Sequence, residues 1–210
     1  MSISDFISPI NPSDFNADNY TVADSFLSSV ICNTNSNSFP DLEDCKVVLL
    51  GLEESRGAAT KYNAKGSADA IRKKLYELKK HSSRINFIDL GNIIPGNKVN
   101  DTSVALTTVL AELNKKNIIT IIIGSSQDLT FAHYQSFKQI DQIINIVGID
   151  SRFDLGKPTD TLNSAGYLGK IILDQPNYLF NYSQLAYQTY LVGQQAVEMM
   201  NNLFFDTYRL

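Results

Sequence analysis

The 210-residue chain is 43% apolar and 19% charged, with length for one sizeable globular domain. Eighteen Lys and Arg against 22 Asp and Glu give a net charge of −4, which excludes the basic field that nucleic acid or an anionic membrane would need. Two cysteines without metal or disulfide-framework spacing, an N-terminus unlike a signal peptide and no run of roughly 18 apolar residues read as a cytoplasmic chain with free Cys32 and Cys45 thiols.

Residues 1–45 are rich in Ser, Asn, Asp and Pro and read as an N-terminal extension, with one apolar run at 22–31 suited to a short docking helix. Residues 46–210 read as the folded domain. It opens on KVVLLGL at 46–52, a near-continuous apolar run of strand length. GSADAIRKKLYELKK, from Gly66, predicts a helix with Ser67 as N-cap, Asp69 in the first turn, and Ala70, Ile71, Leu75 and Leu78 on one stripe. The alternation repeats with strands at 85–91, 118–124 and 143–150 and helices at 101–117 and 127–139. Strands apolar at nearly every position are covered on both faces, and helices between them make parallel βαβ units. The expected fold is therefore a three-layer α/β/α sandwich with a mainly parallel sheet. Beyond Asp150 come a long loop to Gly169, a strand-like KIIL at 170–173, a fifth main strand at 187–193 and a helix at 193–205. A doubly wound sheet would continue with a strand after that helix, so the domain is expected to lack its C-terminal part. An unpaired sheet edge left in this way predicts a homo-oligomer.

In open parallel sheets the ligand crevice lies beyond the C-terminal strand ends. The residues there are Glu53, Glu54, Ser55, Arg56 and Gly57 after the first strand, Gly124 to Asp128 after the third, and Asp150 to Asp154 after the fourth, with Asp89 from the second. Extended alternation puts Asp150, Arg152 and Asp154 on one side. Two readings stay open: a metal or cationic-ligand site on the two acids, or a salt-bridge network fixing a loop. GSSQD at 124–128 lacks the glycines of a dinucleotide fingerprint and the Gly-Lys-Ser/Thr of a phosphate loop, and no G-x-S-x-G elbow presents Ser125 or Ser126 as a nucleophile. The only histidines are His81, read as a surface residue at a helix C-terminus, and His133, read as a helical imidazole without catalytic partner.

In order, VVLLGLEESRG, GSADAIRKKL, IITIIIGSSQD and INIVGIDSRFD resemble the ureohydrolase superfamily of arginases, agmatinases and formimidoylglutamases, most of all the last, over residues 46–173. The resemblance implies an arginase-like sheet whose strand ends hold two Mn²⁺ ions and a shared hydroxide that attacks an amidine or guanidinium carbon. It places Asp150 and Asp154 at two carboxylate ligands, and Gln127 and Arg152 where the family has histidines. A guanidinium has no lone pair to give a metal, and Gln127 offers only an amide carbonyl. The family's loop histidine is replaced by a stretch holding Tyr167 and Lys170, and its late Asp-x-Asp has no counterpart before Leu210.

The expectation is a ureohydrolase-family protein with a degenerate metal site, no cofactor and no hydrolytic activity in this chain, serving a binding or structural role. Arg152 would replace the metal as a cation between Asp150 and Asp154. An alternative is an active Mn²⁺-dependent C–N hydrolase of guanidino or formimino compounds, with Asp150, Asp154 and Gln127 as ligands and Glu53, Glu54 and Asp128 as substrate or supporting contacts. A second alternative is an unrelated small-molecule binding module of doubly wound fold. The acidic crevice suits a small cationic ligand, and neither nucleic acid nor membrane is an expected partner.

Overall fold

The computed structural model describes residues 2–15, 25–35, 38–80, 86–157 and 161–210. Their strands fall in two sheets, in two units: Met1–Arg56 with Lys61–Ser126, and Gly57–Thr60 with Gln127–Leu210.

The first unit is organised around β3 (Val47–Gly51), whose Val48, Leu49 and Leu50 have no exposed surface, the signature of a strand covered on both faces. β3 pairs in parallel with β4 (Phe87–Ile93) and β5 (Ile119–Ile123). The other edge of β4 takes β2 (Val30–Cys32) in parallel along 87–89 and β1 (Ile7–Ser8) antiparallel along 92–93. Residues 1–45 thus supply two strands to this sheet, together with short 3₁₀ turns at Ile3–Phe6, Pro12–Phe15 and Phe26–Ser29, where an extension was expected. Part of the 22–31 run lies outside the described residues. Helix α1 (Ser67–Tyr76) joins Leu49 through Tyr76 in a cluster with Ile10, Phe15 and Leu27. Helix α2 (Val99–Lys115) buries Leu106, Val109, Leu110 and Leu113 completely or nearly so, each stabilising the fold by about 1.5–3 kcal/mol.

Two details of α1 differ from expectation. Gly66, in the left-handed region at φ 79°, is the N-cap, and Ser67 is the first helical residue. The inward face carries Ala68, Arg72 and Tyr76, whereas Ile71 and Leu78 are exposed. The stripe turns because Arg72 reaches inward to a buried partner, Asp89, which outweighs burying Ile71.

The second unit is a parallel three-stranded sheet of β6 (Ile144–Ile149), β7 (Leu179–Tyr187) and β8 (Asp206–Arg209), in that order. Its helices are α3 (Thr130–Lys138), α4 (Tyr167–Leu173) and α5 (Gln194–Asn202). Tyr134, Leu168, Ile171 and Met200 from these helices meet Tyr182 and Tyr187 of β7 and loop residue Phe153 in one core. On the opposite face of β6, Val147 and Ile149 are exposed. KIIL is helical because Leu168 and Ile171, three apart, form one buried side of α4. The strand expected at 187–193 lies at 179–187, where Tyr182 and Gln184 point to the same buried face. Past α5, the last residues form β8 against β7, where the chain was expected to end on the helix.

Among the described residues no helix is long and apolar enough to cross a membrane. Cys32 and Cys45 are both free thiols.

Candidate strand-end site

Asp150 follows β6 directly, and its N–H donates to the Leu185 carbonyl of β7 at 3.2 Å. Its carboxylate accepts three hydrogen bonds: from Gln127 Nε2 at 2.8 Å, Ser151 Oγ at 3.2 Å and the Arg152 backbone N–H at 3.1 Å. Its own carbonyl accepts from Gln184 Nε2 at 2.7 Å, and Gln184 Oε1 in turn accepts from the Tyr182 hydroxyl. The position facing this pair is Gly148, where any Cβ would collide with the Tyr182 hydroxyl. Burial alone would raise the Asp150 carboxyl, but the bonds from Gln127, Arg152 and Ser151 outweigh it and hold it below the usual range.

Beyond Asp150 the extended alternation is lost. Phe153 turns inward against Tyr187, with ring centroids 5.0 Å apart, and Asp154 takes a left-handed conformation at φ 47°. Burial and repulsion from Asp150 push the Asp154 carboxyl up to about 6, with the Arg152 charge pulling the other way. Arg152 does not bridge the two acids as expected. Its side chain is exposed and makes no ion pair among the described residues, so its close contribution is the backbone N–H on Asp150. The turn at Asp154 is the reason, since it takes the second carboxylate off the line on which the alternation was counted.

Tyr167, at the start of α4, is pushed up to about 12 by burial and by Asp154, and its hydroxyl hydrogen-bonds with that of Tyr182. Asp150, Gln184, Tyr182 and Tyr167 thus form one connected polar run beneath the strand end. Tyr182 and Gln184 escaped the sequence reading; the signal was a polar Gln two residues from a Tyr on one strand face. Asp128, in the short 3₁₀ turn Gln127–Leu129, is buried and sits so close to Gly57 that a Cβ there would collide with its carboxylate.

The remaining candidates belong to the first unit. Glu54 is buried, accepting from Arg56 Nε at 2.9 Å and Thr102 Oγ1 at 3.0 Å. Burial would raise its carboxyl, but the Arg56 and Thr102 bonds hold it below the usual range. Arg56 also donates to the carbonyls of Gly96 and Asn97, so Glu54 anchors a loop through Arg56. The Ser125 and Ser126 hydroxyls donate to the Glu54 carbonyl at 3.0 and 3.4 Å. Asp89 is fully buried on Arg72, and Glu53 lines a separate cavity. His133 is half-buried and stacked on Phe137, and burial lowers its pKa. His81 lies outside the described residues.

Among the described residues no group of three or more His, Cys, Asp or Glu is placed to hold a metal. Asp150 and Asp154 offer carboxylate oxygens and Gln127 an amide, and the Asp150 carboxylate accepts hydrogen bonds at both oxygens.

No family model matches the chain. It is 25% identical to formimidoylglutamase of Photorhabdus laumondii over 166 residues, 75% of this chain and 52% of that protein. It is 26% identical to formimidoylglutamase of Salmonella newport over 140 residues, 62% of this chain and 44% of that one. The chain thus spans about half the length of the curated relatives it matches. In structure it is similar to formimidoylglutamase of Bacillus subtilis, with a TM-score of 0.70 at 14% identity over 82% of this chain and 57% of that one. It is also similar to Trypanosoma cruzi formiminoglutamase solved with Mn²⁺, with a TM-score of 0.72 at 15% identity over 82% and 63%. An unrelated doubly wound module is set aside by these likenesses. The chain thus has the arginase fold and is similar in sequence to formimidoylglutamases of the ureohydrolase superfamily.

Proposed function

We propose that this chain is a formimidoylglutamase-like protein whose strand-end site has exchanged metal chemistry for a hydrogen-bonded polar network, and that it serves a binding or structural role without hydrolysing amidines by itself. The observation carrying this reading is the Asp150 carboxylate, whose two oxygens accept from Gln127, Ser151 and Arg152. These bonds take three of the carboxylate's four acceptor positions, and Gln127 turns a donor toward Asp150 at the position where the family resemblance puts an imidazole. With Asp154 beside it, the site suits a small cationic ligand more than a substrate awaiting a metal-bound hydroxide.

One observation favours a second reading, a Mn²⁺-dependent hydrolase of a guanidino or formimino compound. Asp150 and Asp154 repel each other without an intervening ion pair, which is the strain a divalent cation relieves. The two readings separate in one experiment. The chain is purified in excess Mn²⁺, its metal content is measured by elemental analysis, and melting is followed with and without the ion, alongside formamide release from formiminoglutamate and urea release from agmatine and arginine. The first reading expects no stoichiometric Mn²⁺, an unchanged Tm and no product. Stoichiometric metal with a raised Tm would overturn it in favour of the second.

A further inference from the structure

The first unit contains a cavity of about 550 Å³, in the range of small-molecule sites, walled by Ser8, Glu53, Lys65, Asn92 and the apolar segment 93–95. Three strand ends build it. Glu53 stands two residues past β3, Asn92 is the next-to-last residue of β4, and Ser8 of β1 is paired in register with Asn92. Lys65 comes from the turn that leads into α1.

Glu53 holds the chemical signal. Its Oε1 is shielded from solvent and has no hydrogen-bond partner among the described residues. Leaving a buried carboxylate oxygen without a partner is unfavourable, so this carboxylate favours a donor supplied from outside the chain. The polar group on the β4 side is locked in place. Asn92 Oδ1 accepts from Arg72 Nη1, and the absence of a side chain at Gly51 makes room for it, since a Cβ there would collide with that oxygen. The Asn92 carbonyl oxygen being taken, its amide hydrogens are what this residue offers a ligand. Lys65 forms no ion pair among the described residues, so its ammonium is available to an anion. The cavity therefore has on its lining the Glu53 carboxylate, an oriented amide donor, an uncommitted cation and an apolar wall from Ile93 to Pro95.

We propose that this cavity binds a small zwitterion with an apolar spacer, its ammonium donating to Glu53 and its carboxylate received by Asn92 and Lys65. The site is built by the first unit alone and does not rest on the reading of Asp150. It is tested by NMR titration of the whole chain with 5-aminovalerate, pentylamine and pentanoate. Saturable shifts confined to 53–54, 65 and 92–95 are expected, strongest for 5-aminovalerate. Glu53→Gln, a near-isosteric change, should weaken both amines at least ten-fold while the rest of the spectrum stays that of the folded protein. Lys65→Met should weaken 5-aminovalerate and leave pentylamine unchanged. The proposal is overturned if no probe gives saturable shifts, if pentanoate binds as well as 5-aminovalerate, or if Glu53→Gln binds both amines like the parent.

Discussion

Gln127 and Asp150, 23 residues apart, are joined by a 2.8 Å hydrogen bond from the amide Nε2 to the carboxylate Oδ2. The amide donates at a place where a metal ligand would accept, so the bond both steadies Asp150 and occupies it. Replacing Gln127 and Arg152 together by histidine supplies two neutral imidazoles and removes the exposed cation. Mn²⁺ affinity in calorimetry should then rise at least about ten-fold over the parent, roughly 1.4 kcal/mol. No gain would mean that the posture of Asp150 is not what withholds metal.

Arg152 lies outside that network except through its backbone. Arg152→Ala keeps the N–H that Asp150 uses and deletes an exposed side chain without an ion pair, so stability in urea should change by no more than about 0.5 kcal/mol. The long-range field of Arg152 lowers the Asp154 carboxyl, so the same variant should move that titration upward when followed by carboxyl ¹³C NMR. A loss of about 3 kcal/mol would restore the bridging role that the exposed side chain argues against.

Asp154 makes the pH dependence specific. Its carboxyl rises from 3.8 to about 6 on folding, so between those values the folded chain binds more protons than the unfolded one. The stabilisation that the protonated form brings is complete below 3.8 and is lost as pH rises through about 6. At neutral pH the ionised side chain is therefore a burden. Asp154→Asn should raise stability at pH 7 by about 1 kcal/mol, solvent screening of the partly exposed group included, and the gain should vanish below about pH 4. Equal melting of variant and parent at pH 7 would remove the strain argument and, with it, the observation favouring the hydrolase reading.

The strands β3 to β6 are legible because apolar residues fill nearly every position, although only β3 and β4 are covered throughout, and Ile119 and Ile121 of β5 and Val147 and Ile149 of β6 are exposed. β7 is not, because LFNYSQLAY mixes Tyr, Ser and Gln, and its buried polar atoms are satisfied by residues far along the chain. Gln184 reaches Asp150 across 34 positions, a pairing no local window contains. Asp150 itself was found from position alone, by following an apolar run to its end. Its supposed partner Arg152 was misjudged because alternation was extended through a residue, Asp154, that leaves the extended conformation. The α1 stripe departs for a different reason: Arg72 lies off the apolar stripe, yet it is buried with its charge neutralised inside the sheet.

That last pair gives the largest expected loss. Arg72 and Asp89 have no exposed surface, and the guanidinium donates to both carboxylate oxygens, from Nε at 2.8 Å and Nη2 at 3.0 Å. Arg72 Nη2 also reaches the Gly91 carbonyl at 2.9 Å, while Asp89 accepts from the Gly91 N–H at 2.8 Å and from the Tyr76 hydroxyl. The pair ties α1 to β4, and removing one member leaves a bare charge where water does not reach. Arg72→Met should reduce unfolding free energy by about 3–5 kcal/mol in urea. Adding Asp89→Asn keeps an acceptor for the Gly91 N–H, turns an amide N–H toward the Tyr76 hydroxyl oxygen and removes the stranded charge, so the double variant should be more stable than Arg72→Met alone. If Arg72→Met loses less than about 1 kcal/mol, or if Asp89→Asn deepens its defect, the buried pair is not what fastens α1 to the sheet, and packing of Leu49 and Tyr76 must carry that join instead.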